Sequence, residues 1–429
     1  MLNENTFSFE NTKEFAEKMD RSDPLKGYRD QFYFPKHTNG DPCIYFCGNS
    51  LGLQPKTAKK FIDDELEDWA ALGVEGHFHA RNPWMPYHEF LTRQMAEVVG
   101  AKPVEVVVMN SLTVNLHLMM VSFYRPTPQR HKIVIEAHAF PSDQYAVKSQ
   151  IAFHGYNPDE SLIELQPEAG TAVISTERIE ALIETEGDSI ALIMLGGVNY
   201  YSGQAFVMDK IVNVGHKKGC IVGFDLAHAA GNLVLKLHDW DVDFAVWCSY
   251  KYLNAGPGSV AGAFVHERHA ADTALPRFSG WWGHDKKTRF LMPPDFVPIY
   301  GAESWQLSNA PVFAMAALRA SLEKFHEAGM ENLRAKSEKL TGFVEFLLDE
   351  IRDERVAIIT PRNRHQRGCQ LSVRIRGAGK AVFGELTKNG CIVDWREPDS
   401  IRLAPVPLYN SFMDVFDFSV LLKAVLNGN

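Results

Sequence analysis

Phe244-Ala-Val-Trp-Cys-Ser-Tyr-Lys251-Tyr-Leu-Asn-Ala-Gly-Pro-Gly258, preceded by Phe224-Asp225-Leu-Ala-His228-Ala-Ala-Gly231, decides how this chain reads. Each half joins an apolar run with little alternation to a turn, the pattern of a strand covered on both faces. One strand delivers Lys251 to a Gly-rich turn, and the other ends on Asp225. A lysine amine can form an imine with an aldehyde, and a carboxylate at a strand end can pair with a protonated pyridine nitrogen. That pairing suits pyridoxal 5'-phosphate and carbanion chemistry on an amino acid. Taken singly, a lysine after an apolar strand is usually a solvated strand end, and Asp-x-x-His usually a loop with a satisfied histidine. Val260-Ala-Gly-Ala-Phe-Val265 reads as a further buried strand, so Lys251 would stand between two core strands.

Outward from this segment, Lys132–Glu136, Ile190–Leu195 and Cys220–Phe224 are also short buried runs, separated by helical patterns at 174–186 and 209–219. The alternation predicts an α/β, doubly wound fold with a mainly parallel sheet. Beyond about residue 305 come long helical segments at 311–327 and 331–352. The alternating run Cys369–Ile375, a helix at 378–389, and the runs Cys391–Trp395 and Ile401–Pro405 then follow. These predict a smaller α+β domain over 306–429 beside a large domain over 49–305, with residues 1–48 running along the surface to join the small one. The helix predicted at 56–72 puts Ile62, Leu66, Trp69 and Leu72 on one face, read as a core stripe.

The chain has 429 residues, 45% of them hydrophobic, enough for a large core and a globular protein of about two or three domains. Its 44 Lys and Arg against 53 Asp and Glu, a net charge of -9, argue against nucleic acid as a partner. No apolar run approaches the roughly 20 residues of a membrane helix, and Met1-Leu-Asn-Glu-Asn-Thr lacks a secretory pattern. A cytoplasmic protein is expected. Its six cysteines are scattered, mostly in or beside apolar runs, as reduced core residues are. Cys43-x-x-x-Cys47 has no second pair at zinc spacing, so no metal is expected.

Further segments carry chemistry. Asn110-Ser-Leu-Thr113 opens an apolar helix, where backbone amides and the Ser111 or Thr113 hydroxyl could hold a phosphate; a plain helix cap is the alternative. Ala139-Phe-Pro-Ser-Asp143 follows a strand at its carboxyl end, the side where α/β sheets place ligands, and is also a good helix start. Phe140 could lie over a ring, and Ser142 and Asp143 could hydrogen-bond its oxygens. Gly196-Gly-Val-Asn-Tyr-Tyr-Ser-Gly203 likewise follows a strand and allows close backbone approach.

Together these segments resemble the kynureninase family of fold type I pyridoxal phosphate enzymes along nearly the whole chain. The matching motifs are Tyr45-Phe-Cys-Gly-Asn-Ser-Leu-Gly52, Asn115-Leu-His-Leu118, Phe140-Pro-Ser-Asp143, Gly223-Phe-Asp-Leu-Ala-His228, Trp247-Cys-Ser-Tyr-Lys-Tyr-Leu-Asn-Ala-Gly256, Gly280-Trp-Trp-Gly-His284 and Arg402-Leu-Ala-Pro-Val-Pro-Leu-Tyr-Asn410. The resemblance implies that Lys251 carries the imine, that Asp225 pairs with the ring nitrogen, and that His228 supports the ring or Asp225. By the same resemblance Phe140 stacks on the ring, while Tyr250 contacts the phosphate and donates a proton. Leu112, Thr113, Pro141, Ser142, Asp143 and Gly196 complete the cofactor contacts of one chain. Trp281 and Asn309 match residues that reach the phosphate from a neighbouring subunit, implying a homodimer with shared sites. Arg402 matches the substrate-carboxylate clamp, a task suited to a planar guanidinium fork. Asn49, His77, Ser308 and Asn309 match residues that line the substrate pocket. Gly196 departs from the family pattern, which often has Ser or Thr there, so a hydroxyl contact is missing or replaced.

The family reaction is hydrolytic Cβ–Cγ cleavage of L-kynurenine, or its 3-hydroxy derivative, to an anthranilate and L-alanine, a step of tryptophan degradation toward NAD precursors. Two rivals are considered. One is a cysteine desulfurase or class V aminotransferase on the same fold; a desulfurase needs a mobile reactive cysteine, whereas Cys369 opens an alternating strand and looks structural. A silent cofactor-binding protein has no use for both Lys251 and Arg402.

Overall fold

The computed structural model describes residues 7–428. Its centre is a seven-stranded sheet in the order Val106–Val108, Gly262–Val265, Phe244–Trp247, Ile221–Asp225, Ile190–Gly196, Lys132–Glu136, Leu162–Leu165. Gly262–Val265 is antiparallel to both neighbours, and the remaining pairs are parallel. The expected α/β fold with a mainly parallel sheet is what the chain adopts. The central strands are short and largely apolar, and helices cover both faces, which is why they read as unbroken apolar runs. The edge strands Val106–Val108 and Leu162–Leu165 carry no such long run and were not anticipated.

A second sheet of four antiparallel strands has the order Asp394–Arg396, Ser400–Leu403, Leu371–Ile375, Val356–Ile358. The run Cys391–Trp395, expected as one strand, divides: Cys391–Ile392 pairs in parallel with Ile44–Tyr45, and the residues from Asp394 join the four-stranded sheet. The N-terminal helix Lys13–Ser22 packs on the C-terminal helix Phe412–Leu426. There the Asp20 carboxylate accepts the Phe412 and Met413 N–H groups at 2.7 and 3.0 Å, capping a helix start from another helix. Arg29 adds a two-pronged contact to Asp414 at 2.6 and 3.0 Å.

Two packing features differ from the sequence reading. Helix Val312–Ala328, on the C-terminal side of residue 305, packs against Ala58–Leu72 and Glu89–Val99. Within Ala58–Leu72 the apolar stripe is not core: Leu66 is 44% and Trp69 57% exposed. The buried face carries Glu65 and Asp68 instead. Their burial is tolerated because Glu65 accepts Asn82 Nδ2, Trp84 Nε1 and the Tyr87 hydroxyl, and Asp68 accepts the Arg81 N–H. Periodicity cannot foresee a helix turned around by a satisfied polar network. Among the described residues no helix is long and apolar enough to cross a membrane.

Candidate active site

The carboxyl ends of the parallel strands open onto a cleft. Ile221–Asp225 ends there on Asp225, Lys132–Glu136 on Glu136, and the turn after Phe244–Trp247 brings Lys251 over them. Lys251 Nζ lies 3.0 Å from His228 Nε2 and 5.9 Å from the ring centres of both Phe140 and Tyr250. Leu112, Thr113, Ser142, Asp143 and Gly196 complete the wall, with Pro141 opening the helix that carries Ser142 and Asp143.

The helices Leu112–Phe123 and Pro141–Phe153 both begin at this wall. Neither has a side-chain cap on its first amides, and Thr113 Oγ1 and Ser142 Oγ meet at 2.8 Å. Two helix starts and two hydroxyls facing one space form an anion-binding corner. Phe140, 47% exposed, stands edge-on to Tyr200 at 5.4 Å and leaves a face open to the cleft.

Burial sets the protonation of the site. It raises the Asp225 carboxyl, against the opposing pull of the Ala227 N–H and Lys251. It raises Asp143 well above the usual range, reinforced by the Asp225 charge. Asp143 is therefore the member of the pair that keeps a proton, and Asp225 is the acceptor. Glu136 is pushed up to about 7, again by burial. His228 is held well below its ordinary value by burial and then by Lys251, so its imidazole is neutral. Burial followed by Cys248 raises the Tyr250 phenol, which keeps its proton at neutral pH.

Arg402, 1% exposed, donates from Nη1 to Tyr200 O at 2.8 Å and pairs with Asp394. Asn49 is fully buried and donates to Gln370 Oε1 at 3.1 Å. Among the described residues Arg402 Nε and Asn49 Oδ1 have no hydrogen-bond partner. The other predicted residues lie elsewhere on the chain. Ser308 and Asn309 line a separate cavity with Asn110 and Ser111. His77 donates from Nδ1 to Val74 O at 3.0 Å, and Trp281, 41% exposed, donates to Arg289 O at 3.2 Å. Glu136, Val198, Tyr200 and Ala227 line the cleft without having been singled out. Glu136 had a usable signal, being the last residue of a predicted strand at the sheet's ligand edge.

The family model for the kynureninase C-terminal domain matches residues 333–422. A kynureninase of Myxococcus xanthus is 61% identical over 417 residues, covering 97% of this chain and 98% of that protein. The chain belongs to the kynureninase family. A kynureninase of Koribacter versatilis is 58% identical, over 98% of this chain and 99% of its own. The family's fold is shared with more distant enzymes. A cysteine desulfurase from Thermococcus onnurineus NA1 superposes with a TM-score of 0.75 at 17% identity, covering 96% of this chain and 98% of its own. A C-DES mutant with glycine covalently linked to its PLP cofactor gives 0.75 at 18%, over 92% and 98%. At that identity these two speak for the fold alone, that of fold type I enzymes.

Proposed function

We propose that this chain is a pyridoxal 5'-phosphate-dependent hydrolase. It cleaves the Cβ–Cγ bond of L-kynurenine or 3-hydroxy-L-kynurenine, giving anthranilate or 3-hydroxyanthranilate and L-alanine. The observation that carries the reading is the convergence of Lys251, Asp225 and His228 beside an uncapped pair of helix starts, in a chain of the kynureninase family. The donor set fits the cofactor. An amine, a buried carboxylate acceptor and an anion corner match an aldehyde, a pyridinium and a phosphate. Among the described residues His228 Nδ1 and Asp143 Oδ1 are buried polar atoms with no hydrogen-bond partner. When bound, pyridoxal phosphate supplies the aldehyde that takes the substrate amine and a ring that withdraws electrons from Cα.

The chain's own residues do the rest. Thr113, Ser142 and the amides from Leu112 onward would hold the phosphate, and Phe140 would lie against the ring. Asp225 keeps the ring nitrogen protonated, while Asp143 holds its proton and orients Asp225. Lys251 removes the proton from Cα, steered by the neutral His228 imidazole. Tyr250 donates a proton near the γ carbon, a role typically worth about 100- to 10,000-fold. Arg402, held by Asp394, and Asn49 receive the substrate carboxylate.

The functional unit in this reading is a homodimer in which Trp281 and Asn309 complete the neighbour's cofactor site, and His77 and Ser308 its aromatic pocket. Exposed Trp281, Phe290, Leu291 and Met292 in one segment support an interface there. Residues 49–305, with the helix Val312–Ala328 packed on them, form the cofactor domain, residues 330–428 the small domain, and 7–48 the segment that joins it. The cytoplasm is the compartment, in keeping with six free thiols, and the pathway is tryptophan degradation toward NAD precursors. Desulfurase chemistry is disfavoured, since Cys369 is fully buried with its thiol pushed up to about 12. Purified protein with pyridoxal phosphate and kynurenine should generate anthranilate fluorescence and one equivalent of alanine; sulfur release from cysteine without anthranilate would refute the assignment.

A further inference from the structure

Glu136 ends its strand inside the cleft and is 4% exposed. Its two oxygens accept the Gly196 N–H at 3.3 and 3.1 Å. This contact depends on the missing side chain: a Cβ on Gly196 would lie 2.8 Å from Glu136 Oε1 and push the carboxyl aside. The Glu136 carboxyl thus lies against the space that a side chain at 196 would enter.

We propose that Glu136 is a cofactor-positioning residue, its carboxyl presenting to bound pyridoxal phosphate the hydrogen-bonding group that a hydroxyl side chain at 196 would otherwise present. The inference rests on the cofactor reading above. Besides burial, its own N–H, the Gly196 N–H from the adjacent strand and Asp225 from the strand beyond it act on that carboxyl. Asp143, on the helix Pro141–Phe153, feels its charge, and Lys251 lines the same cleft. Burial dominates and carries Glu136 to about 7, with the Asp225 charge raising it and the Gly196 N–H lowering it. Near neutral pH a large share of the side chain is therefore a neutral acid, able to donate an O–H as serine would.

The test is titration of apoprotein with pyridoxal phosphate, followed by visible absorbance, with the melting temperature of each apoprotein as a folding control. Glu136→Ala should bind about tenfold more weakly, the loss expected of one hydrogen bond. Adding Gly196→Ser should restore affinity to within about threefold of the native chain, whereas adding Gly196→Ala should not. Equal rescue by serine and alanine would reduce the pair to packing and overturn the proposal, as would native affinity in Glu136→Ala. If the alanine variants do not fold, Glu136→Gln decides. It should bind within about threefold of native and lose the inflection in affinity between about pH 6 and 8. An inflection that persists in the glutamine chain overturns the proposal. Failure of the native apoprotein to bind pyridoxal phosphate at all would instead refute the cofactor reading.

Discussion

Lys251 Nζ donates to His228 Nε2 at 3.0 Å, and the imidazole that receives it is one that burial keeps neutral. The pair fixes where the amine points, toward the space between Phe140 and Tyr250. Borohydride reduction of the holoprotein followed by peptide mapping should place the cofactor on Lys251. A label on any other lysine removes the assignment.

Asp225 should matter more than its neighbours. Replaced by Ala, it leaves Asp143 without its acceptor and the ring nitrogen without a carboxylate. Proton removal from Cα should slow by about a hundredfold or more. The measurement is exchange of the substrate α proton in deuterated water, and near-native exchange would mean that another group pairs with the ring.

A shared site makes a sharper prediction. Trp281 and Asn309 lie outside the cleft of their own chain. Mixing a Lys251→Ala chain with a Trp281→Ala chain should return part of the activity, because in mixed dimers one of the two sites carries both lesions and the other carries none. No recovery despite demonstrated subunit exchange would argue that each site is built from one chain.

The parts of the fold legible in the sequence are those whose signal is local. Strands such as Lys132–Glu136 and Phe244–Trp247 are covered on both faces, so their runs are apolar throughout, and their carboxyl ends locate Asp225 and Lys251. What escaped depends on partners far along the chain. Glu65 is buried because Asn82, Trp84 and Tyr87 satisfy it, and nothing within 56–72 announces that. The link between Glu136 and Gly196 arises only once two strands lie side by side. Arg402 needs Asp394 from the paired strand to hold its guanidinium in place.

Asp243 anchors the sheet outside the active site and gives the fold an acid limit. It accepts His216 Nε2 at 2.9 Å, His269 Nε2 at 2.8 Å, Arg268 Nη2 at 2.6 Å and the Val222 N–H at 2.7 Å. Burial acts to raise its carboxyl, but these donors outweigh it and hold the group well below the usual range. A depressed carboxylate stabilises the fold fully above its unfolded value, about 3.9, and loses that contribution as pH falls toward the folded value. Asp243→Asn should cost about 3–5 kcal/mol at pH 7, and the gap to the native chain should narrow below about pH 4. Thermal melts of both chains across that range are the check; a gap independent of pH would place the acid limit elsewhere.

In the proposed site, substrate choice rests on polar groups outside the single-chain cleft. His77 directs Nδ1 to Val74 O, with no hydrogen bond at Nε2 among the described residues, and Ser308 with Asn309 lines a separate cavity. In the proposed homodimer these groups would meet the aromatic ring of the substrate. A site built to hydrogen-bond a ring hydroxyl leaves its own buried polar groups unpaired when the hydroxyl is absent. 3-Hydroxykynurenine should therefore be turned over at least as efficiently as kynurenine. The combined variant His77→Trp, Ser308→Gly, Asn309→Thr should shift the ratio of the two kcat/KM values toward kynurenine by about tenfold or more. Comparing both substrates on both chains decides it. A native chain that strongly prefers unsubstituted kynurenine, or a variant whose ratio does not move, would take the role away from these three residues.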